Sequence, residues 1–114
     1  GGFVQGMGMA LLEEMVWDGA RLANPTLMDY KVPTTLEAPY ELVPIIVESL
    51  DTEGPFGAKS VGEVCLSPVP AAIGNAIKRA TGVRLFKLPF TPERILRGML
   101  NIVDVSSTHQ GGKS

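Results

Sequence analysis

Two residue types that build catalytic and metal centres are almost missing from this chain, which has one cysteine, Cys65, and one histidine, His109. A single cysteine cannot close an intrachain disulfide, ligate an iron–sulfur cluster or form a cysteine metal cage. A single histidine at the far end of the sequence argues against a histidine-based triad or a zinc site. No apolar run approaches the ~18–20 residues of a membrane span. No basic stretch followed by an apolar one marks a signal peptide at the start. We therefore expect no membrane partner and a cytoplasmic, reducing setting, in which Cys65 reads as a small buried hydrophobe. An excess of basic charge is lacking too: 10 Lys and Arg stand against 12 Asp and Glu, a net charge of −2. That balance excludes a nucleic-acid partner held by bulk electrostatics.

What remains is a globular composition, with 45% hydrophobic and 19% charged residues in a chain of 114. That length fits one domain with a moderate core. The chain opens at Gly1 and runs straight into an apolar pattern, so the expectation is a piece of a longer protein. Phe3, Met7, Ala10, Leu11 and Met15 recur at three- and four-residue steps and predict a helix over 3–16. Val16 to Leu22 reads as a hairpin turning at Asp18-Gly19. Residues 23–40, with prolines at 25, 33 and 39, read as an ordered loop, since Leu27, Met28, Tyr30 and Val32 would avoid solvent. Leu42 to Leu50 is a β-branched strand candidate in which Pro44 suggests an edge or a bulge. Ser67-Pro68 opens a helix whose Ala-rich face would be buried, and Gly82 stops it. Val83 to Leu88 reads as a short strand, and Thr91-Pro92-Glu93 opens the last helix. The fold class is therefore α+β, in the order helix, β-hairpin, long loop, strand, helix, strand, helix. Residues 1–105 form the compact part, and 106–114 a polar, disordered tail.

Chemistry concentrates between Gly54 and Glu63, where three glycines and Pro55 fall within ten residues. Such a loop exposes its own N–H groups and lets something approach the main chain closely. It ends on Glu63, followed by the apolar Val64-Cys65-Leu66, a setting suited to proton transfer. A surface turn carrying a solvated acid is the alternative. Lys59 is either a solvated charge or a phosphate or cofactor contact. In the first predicted helix Gly1, Gly2, Gly6 and Gly8 cost up to ~1 kcal/mol each, which makes sense if a backbone or ligand packs there. Gln5 sits among them with an amide that both donates and accepts. Gly6-Met7-Gly8 is not a dinucleotide fingerprint, and the Gly-Lys-Ser near the end is not a phosphate-binding loop.

Three stretches resemble a known family when taken together. Gly1-Gly2-Phe3-Val4-Gln5-Gly6-Met7-Gly8 with Glu13-Glu14 comes first, then Asn24-Pro25 with Asp29-Tyr30-Lys31-Val32-Pro33-Thr34, then Gly54 to Glu63. In this order and spacing they are similar to the C-terminal part of the large, molybdenum-binding subunit of the xanthine dehydrogenase/aldehyde oxidase family. The resemblance covers residues 1–104. It implies that Glu63 is the general base that takes a proton from the metal-bound hydroxyl as that oxygen attacks an electron-poor carbon. It implies that Gln5 hydrogen-bonds the cofactor, and that Lys59, Ser60, Val61 and Gly62 lie along the pterin. None of these side chains would ligate the metal. The cofactor implied is molybdenum–molybdopterin, in its cytosine dinucleotide form. Iron–sulfur clusters and FAD would sit on partner subunits or domains. The substrate would be a small aldehyde, purine or N-heterocycle. The remainder of the subunit is the implied partner, so the isolated piece should be inactive and prone to self-association. A non-catalytic cofactor-binding or assembly module of the same fold is the competing reading.

Overall fold

The computed structural model describes the backbone of residues 1–110 and the side chains of residues 1–101. Three helices carry it: α1 (Gly2–Leu11), α2 (Pro68–Thr81) and α3 (Pro92–Gln110). A two-stranded antiparallel hairpin, β1 (Trp17–Asp18) and β2 (Arg21–Leu22), follows α1. The coarse α+β class holds, and the expected element order holds only in part.

α1 ends four to five residues before the apolar period does, because tertiary contacts take over the chain. Leu12 and Glu13 both donate their N–H to the Gly8 carbonyl, at 2.8 and 2.9 Å. The next residues are then captured from outside the helix. Asn24 donates to the Glu14 carbonyl at 2.7 Å and accepts from the Val16 N–H at 2.9 Å. Tyr30 Oη donates to Glu13 Oε2 at 2.8 Å. These bonds offset the lost helical ones and swing the chain into the hairpin. The hairpin pairs Trp17 with Leu22 and Asp18 with Arg21. Its turn is thus Gly19-Ala20, one residue later than Asp18-Gly19. Gly19 takes φ 59° at the first central position, where a two-residue loop needs a positive φ.

Neither strand expected after the hairpin forms among the described residues. Residues 41–50 run without helix, turn or bend, and 83–88 are irregular. A strand is completed by its neighbour's backbone, and neither segment has such a neighbour here. The long loop also departs from expectation: Leu27, Met28 and Val32 are exposed, and of the four apolar residues only Tyr30 is half-buried. Its local turns are held by Thr26 with Asp29, and by Thr34, whose N–H and hydroxyl both donate to Glu37. Those bonds hold the Glu37 carboxyl below the usual carboxylate range.

α2 begins at Pro68 and stops at Gly82, which is left-handed at φ 77°. Ser67 precedes it without making a side-chain cap bond. The Ala-rich face is not buried, since Val69 alone is buried on this helix. Thr91 does cap α3, accepting from the Arg94 N–H at 3.3 Å. Arg94 then ties α3 back to the region after α1, donating to Glu14 Oε1 at 2.6 Å and to the Pro89 carbonyl at 2.8 Å. α3 runs past the expected boundary at residue 105, and residues 111–114 of the expected tail lie outside the described residues.

The core is small: Met7, Ala10, Val69, Val83 and Phe90. It forms where α1 crosses the start of α2 and the 83–90 connection lies over both. The Phe90 N–H donates to the Ala10 carbonyl at 2.6 Å, and the Phe90 ring lies against Gly74. Each fully buried large side chain contributes about 1.5–3 kcal/mol, little against the entropy of ordering a chain of this length. The shape agrees. The radius of gyration is 19.6 Å, against ~13 Å for a compact domain of this length. The accessible surface is 9599 Å², where a folded monomer of this mass exposes about 6,000 Å². Apolar side chains supply much of the excess.

Two expectations follow. The isolated chain should associate and bind a dye for exposed apolar surface; sedimentation as a dye-negative monomer would contradict this. In the intact subunit, Gly6→Ala should lower stability by ~1–3 kcal/mol, because its Cβ would lie 2.8 Å from the Leu66 carbonyl oxygen and from Val69 Cβ. Denaturant midpoints of the two forms measure it.

Candidate functional site

Two of the glycines at the start of α1, Gly2 and Gly6, sit where another backbone crosses, while Gly8 faces the side chains of Glu13 and Pro33 and Gly1 meets nothing within 4 Å. A Cβ on Gly2 would collide with Cys65 Sγ and come within 3.3 Å of the Gly62 carbonyl. Gly6, one turn on, is equally close to Leu66 and Val69. The stretch 62–69 therefore lies along the glycine side of α1. It is shaped by a tight turn in which the Leu66 N–H donates to the Glu63 carbonyl at 3.0 Å, and Cys65 Sγ donates to the Gly62 carbonyl at 3.5 Å. Cys65 is exposed, not buried as expected.

This crossing brings the first turn of α1, with Gln5, to the turn that carries Glu63. Gln5 lies three residues after Gly2 and so shares its side of the helix. Both Gln5 and Glu63 are exposed, as are Lys59, Ser60, Val61 and Gly62. The burial expected around Glu63 is not supplied by these residues: Val64 and Cys65, its apolar neighbours, are themselves exposed.

Upstream, the loop is pinned at its base. Pro55–Gly57 makes a single 3-10 turn, and the Asp51 N–H donates to the Gly57 carbonyl at 3.2 Å. Phe56 holds a left-handed backbone (φ 55°, ψ 26°) with its ring fully exposed. A non-glycine residue seldom holds this conformation. Beyond it, Lys59 to Gly62 runs as an open strip. Among the described residues none of its four N–H groups makes a hydrogen bond, and a Cβ at Gly62 would meet nothing within 4 Å. A hollow of about 450 Å³ lined by Phe3, Leu42, Val43, Pro44 and Cys65 adjoins the crossing. Another, of about 730 Å³, lies between residues 47–50 and 57–59.

The donor set suits a polar, anionic group: four free main-chain N–H groups, the Lys59 ammonium, the Ser60 hydroxyl and the Gln5 amide. Among the described residues no group of three or more His, Cys, Asp or Glu could hold a metal ion. The donor set itself fits an anionic cofactor.

A second cleft, missed by the sequence reading, opens beside the end of α1. It encloses about 370 Å³ between Met9, Glu13, Glu14, Met15, Tyr30, Leu88 and Pro89. Donation to Glu13, partial burial and the carboxylate's charge raise the Tyr30 phenol above its ordinary 10.0. No periodicity could have shown this pair, which joins residues seventeen apart in sequence.

Several known proteins are similar to this chain over most of its length. The family model of the molybdopterin cofactor-binding domain matches residues 1–39. The xanthine dehydrogenase molybdenum-binding subunit of Escherichia coli O157:H7 is 45% identical over 97 residues, covering 83% of this chain and 13% of that protein. The aldehyde oxidoreductase of Megalodesulfovibrio gigas is 42% identical over 99 residues, covering 87% of this chain and 11% of that protein. The crystal structure of quinoline 2-oxidoreductase from Pseudomonas putida 86 superposes with a TM-score of 0.77 at 36% identity, covering 87% of this chain and 13% of that one. The fold and these relatives thus point to the molybdenum-binding subunits. The chain belongs to the molybdenum hydroxylase family, among the molybdenum-binding subunits of xanthine dehydrogenases and aldehyde oxidoreductases. It spans about an eighth of the length of these relatives.

The Tyr30–Glu13 bond carries a prediction. With Tyr40→Phe as background, the Tyr30 ring should titrate above 10.0, and Glu13→Gln should bring it down. The stability it contributes is fully present below the ordinary value and lost as pH rises through the raised one. Ring NMR in dilute samples measures it; an ordinary midpoint in both forms would contradict the assignment.

Proposed function

We propose that these residues are part of the catalytic subunit of a cytoplasmic molybdenum hydroxylase. It would oxidise an aldehyde, purine or N-heterocycle with oxygen derived from water, and it takes Glu63 as general base. The observation that carries the reading is the packing of the first turn of α1 on the 62–66 turn, with Gln5 and Glu63 carried on those two elements. Support for the substrate class comes from the relatives named for xanthine, aldehyde and quinoline.

When bound, the molybdenum–pterin group supplies two-electron redox chemistry. The residues of this chain do the positioning and the proton work. The N–H groups of Lys59, Ser60, Val61 and Gly62 would hold the pterin through main-chain hydrogen bonds. Lys59 offsets its negative charge, and Gln5 orients it from the α1 side through its amide. Glu63 takes the proton from the attacking water oxygen at its carboxylate. A base needs a fixed backbone to aim it, and the Leu66-to-Glu63 bond supplies one. It also needs exclusion of bulk water, which the remainder of the subunit would supply. Iron–sulfur and flavin groups on partner subunits or domains would serve as the electron acceptors. The cofactor is the cytosine dinucleotide form, and the 114 residues alone are inactive.

Glu63→Gln keeps the size of the side chain and removes the proton acceptor. In the assembled enzyme, with cofactor content unchanged, kcat should fall by ~10²–10⁴-fold. Turnover within threefold of the parent would leave the segment a binding module without a base. Gln5→Ala should lower cofactor occupancy or turnover only partly, since one amide's hydrogen bonds are worth ~0.5–1.5 kcal/mol each.

A further inference from the structure

Residues 41–50 run straight beside the candidate site, every one of them exposed. Val43, Ile45, Ile46 and Val47 are β-branched, and three of them are more exposed than core residues ever are: Ile45 82%, Ile46 88% and Val47 80%. Among the described residues none of the N–H or C=O groups from 41 to 50 makes a backbone hydrogen bond. Alternation puts Val43, Ile45 and Val47 on one face, and Leu42, Ile46 and Leu50 on the other. Both faces are therefore apolar, the pattern of a strand covered on two sides. Turn chemistry gives no reason for this composition, and water is a poor solvent for it.

We propose that residues 42–50 form a β-strand with a strand of the same subunit that lies outside these residues. The proposal rests on the reading that the chain is one portion of a larger subunit, of whose relatives it spans about an eighth. The length of chain outside the structure and the surface excess described above both favour an occupant from the same polypeptide over a second copy. Pro44 sets the side that pairs. It has no N–H, and the N–H groups of 42, 44, 46 and 48 all point to one edge of an extended chain, those of 43, 45, 47 and 49 to the other. The paired edge is therefore that of Val43, Ile45, Val47 and Ser49.

Pairing also reaches the site. The far end of the segment is joined to the glycine loop by the Asp51 N–H on the Gly57 carbonyl, and Leu50 Cδ2 lies 2.7 Å from where a Cβ on Gly57 would sit. The near end lines the hollow with Phe3 and Cys65. Docking of the strand would fix both ends of the strip from Lys59 to Glu63.

Amide hydrogen exchange resolved residue by residue in the intact subunit tests this without using activity. The N–H groups of Ile45, Val47 and Ser49 should exchange at least about 100-fold more slowly than those of Ile46 and Glu48. Uniformly fast exchange would overturn the strand, and equal protection of both sets would overturn the one-sided pairing. Protection that fades on dilution of the subunit would assign the occupant to a second copy and overturn the proposal. Glu63→Gln should leave the exchange pattern unchanged, so failure of the proposed base and failure of the proposed strand are separable.

Discussion

Everything that bears on function in this chain depends on one steric constraint, the close approach of the 62–69 stretch to the glycine side of α1. A helix that gives up stability at Gly2 and Gly6 gains a backbone-to-backbone contact in return. Any side chain at those positions would push the neighbouring segment away, as the Cβ positions show. The contact joins an element from the start of the chain to a turn some sixty residues later. It places the Gln5 side of the helix beside the loop that exposes its own N–H groups.

The same economy explains why so little of the chain is buried. Five side chains form the core, while Leu27, Ile46, Val61 and Phe86 remain in solvent. In a self-sufficient domain such residues would have partners. Here the chain spans about an eighth of the length of the relatives it matches. Exposure of Glu63, Gln5 and the Lys59–Gly62 strip belongs to the same pattern.

Much of the helical structure was legible because helices are decided locally. The apolar period of α1, the stop at Gly82 and the Thr91 cap were all readable from neighbouring residues. The end of α1 was not, because Asn24 and Tyr30 reach back to it from the loop. The hairpin was legible to within one residue; its register depends on cross-strand bonds that Asp-Gly does not fix by itself. Strands at 42–50 and 83–88 do not form among the described residues for a general reason: a β-branched run states a propensity, and its partner decides whether a ladder forms. Burial of the α2 face failed likewise, as an Ala-rich face says that close packing is possible and not what packs. Glu63 and Gln5 were singled out by their motifs. Their placement on two elements in contact was signalled only by glycines too frequent for a helix.

The account stands or falls on whether the α1 contact holds the cofactor site together. The most direct test is the molybdenum and pterin content of the intact subunit carrying Gly2→Val, purified beside the parent. The added side chain should force α1 off the Gly62–Cys65 backbone, and cofactor content should fall severalfold while the subunit still folds by circular dichroism. Full cofactor content in a folded Gly2→Val subunit would show that the contact is not what positions the site.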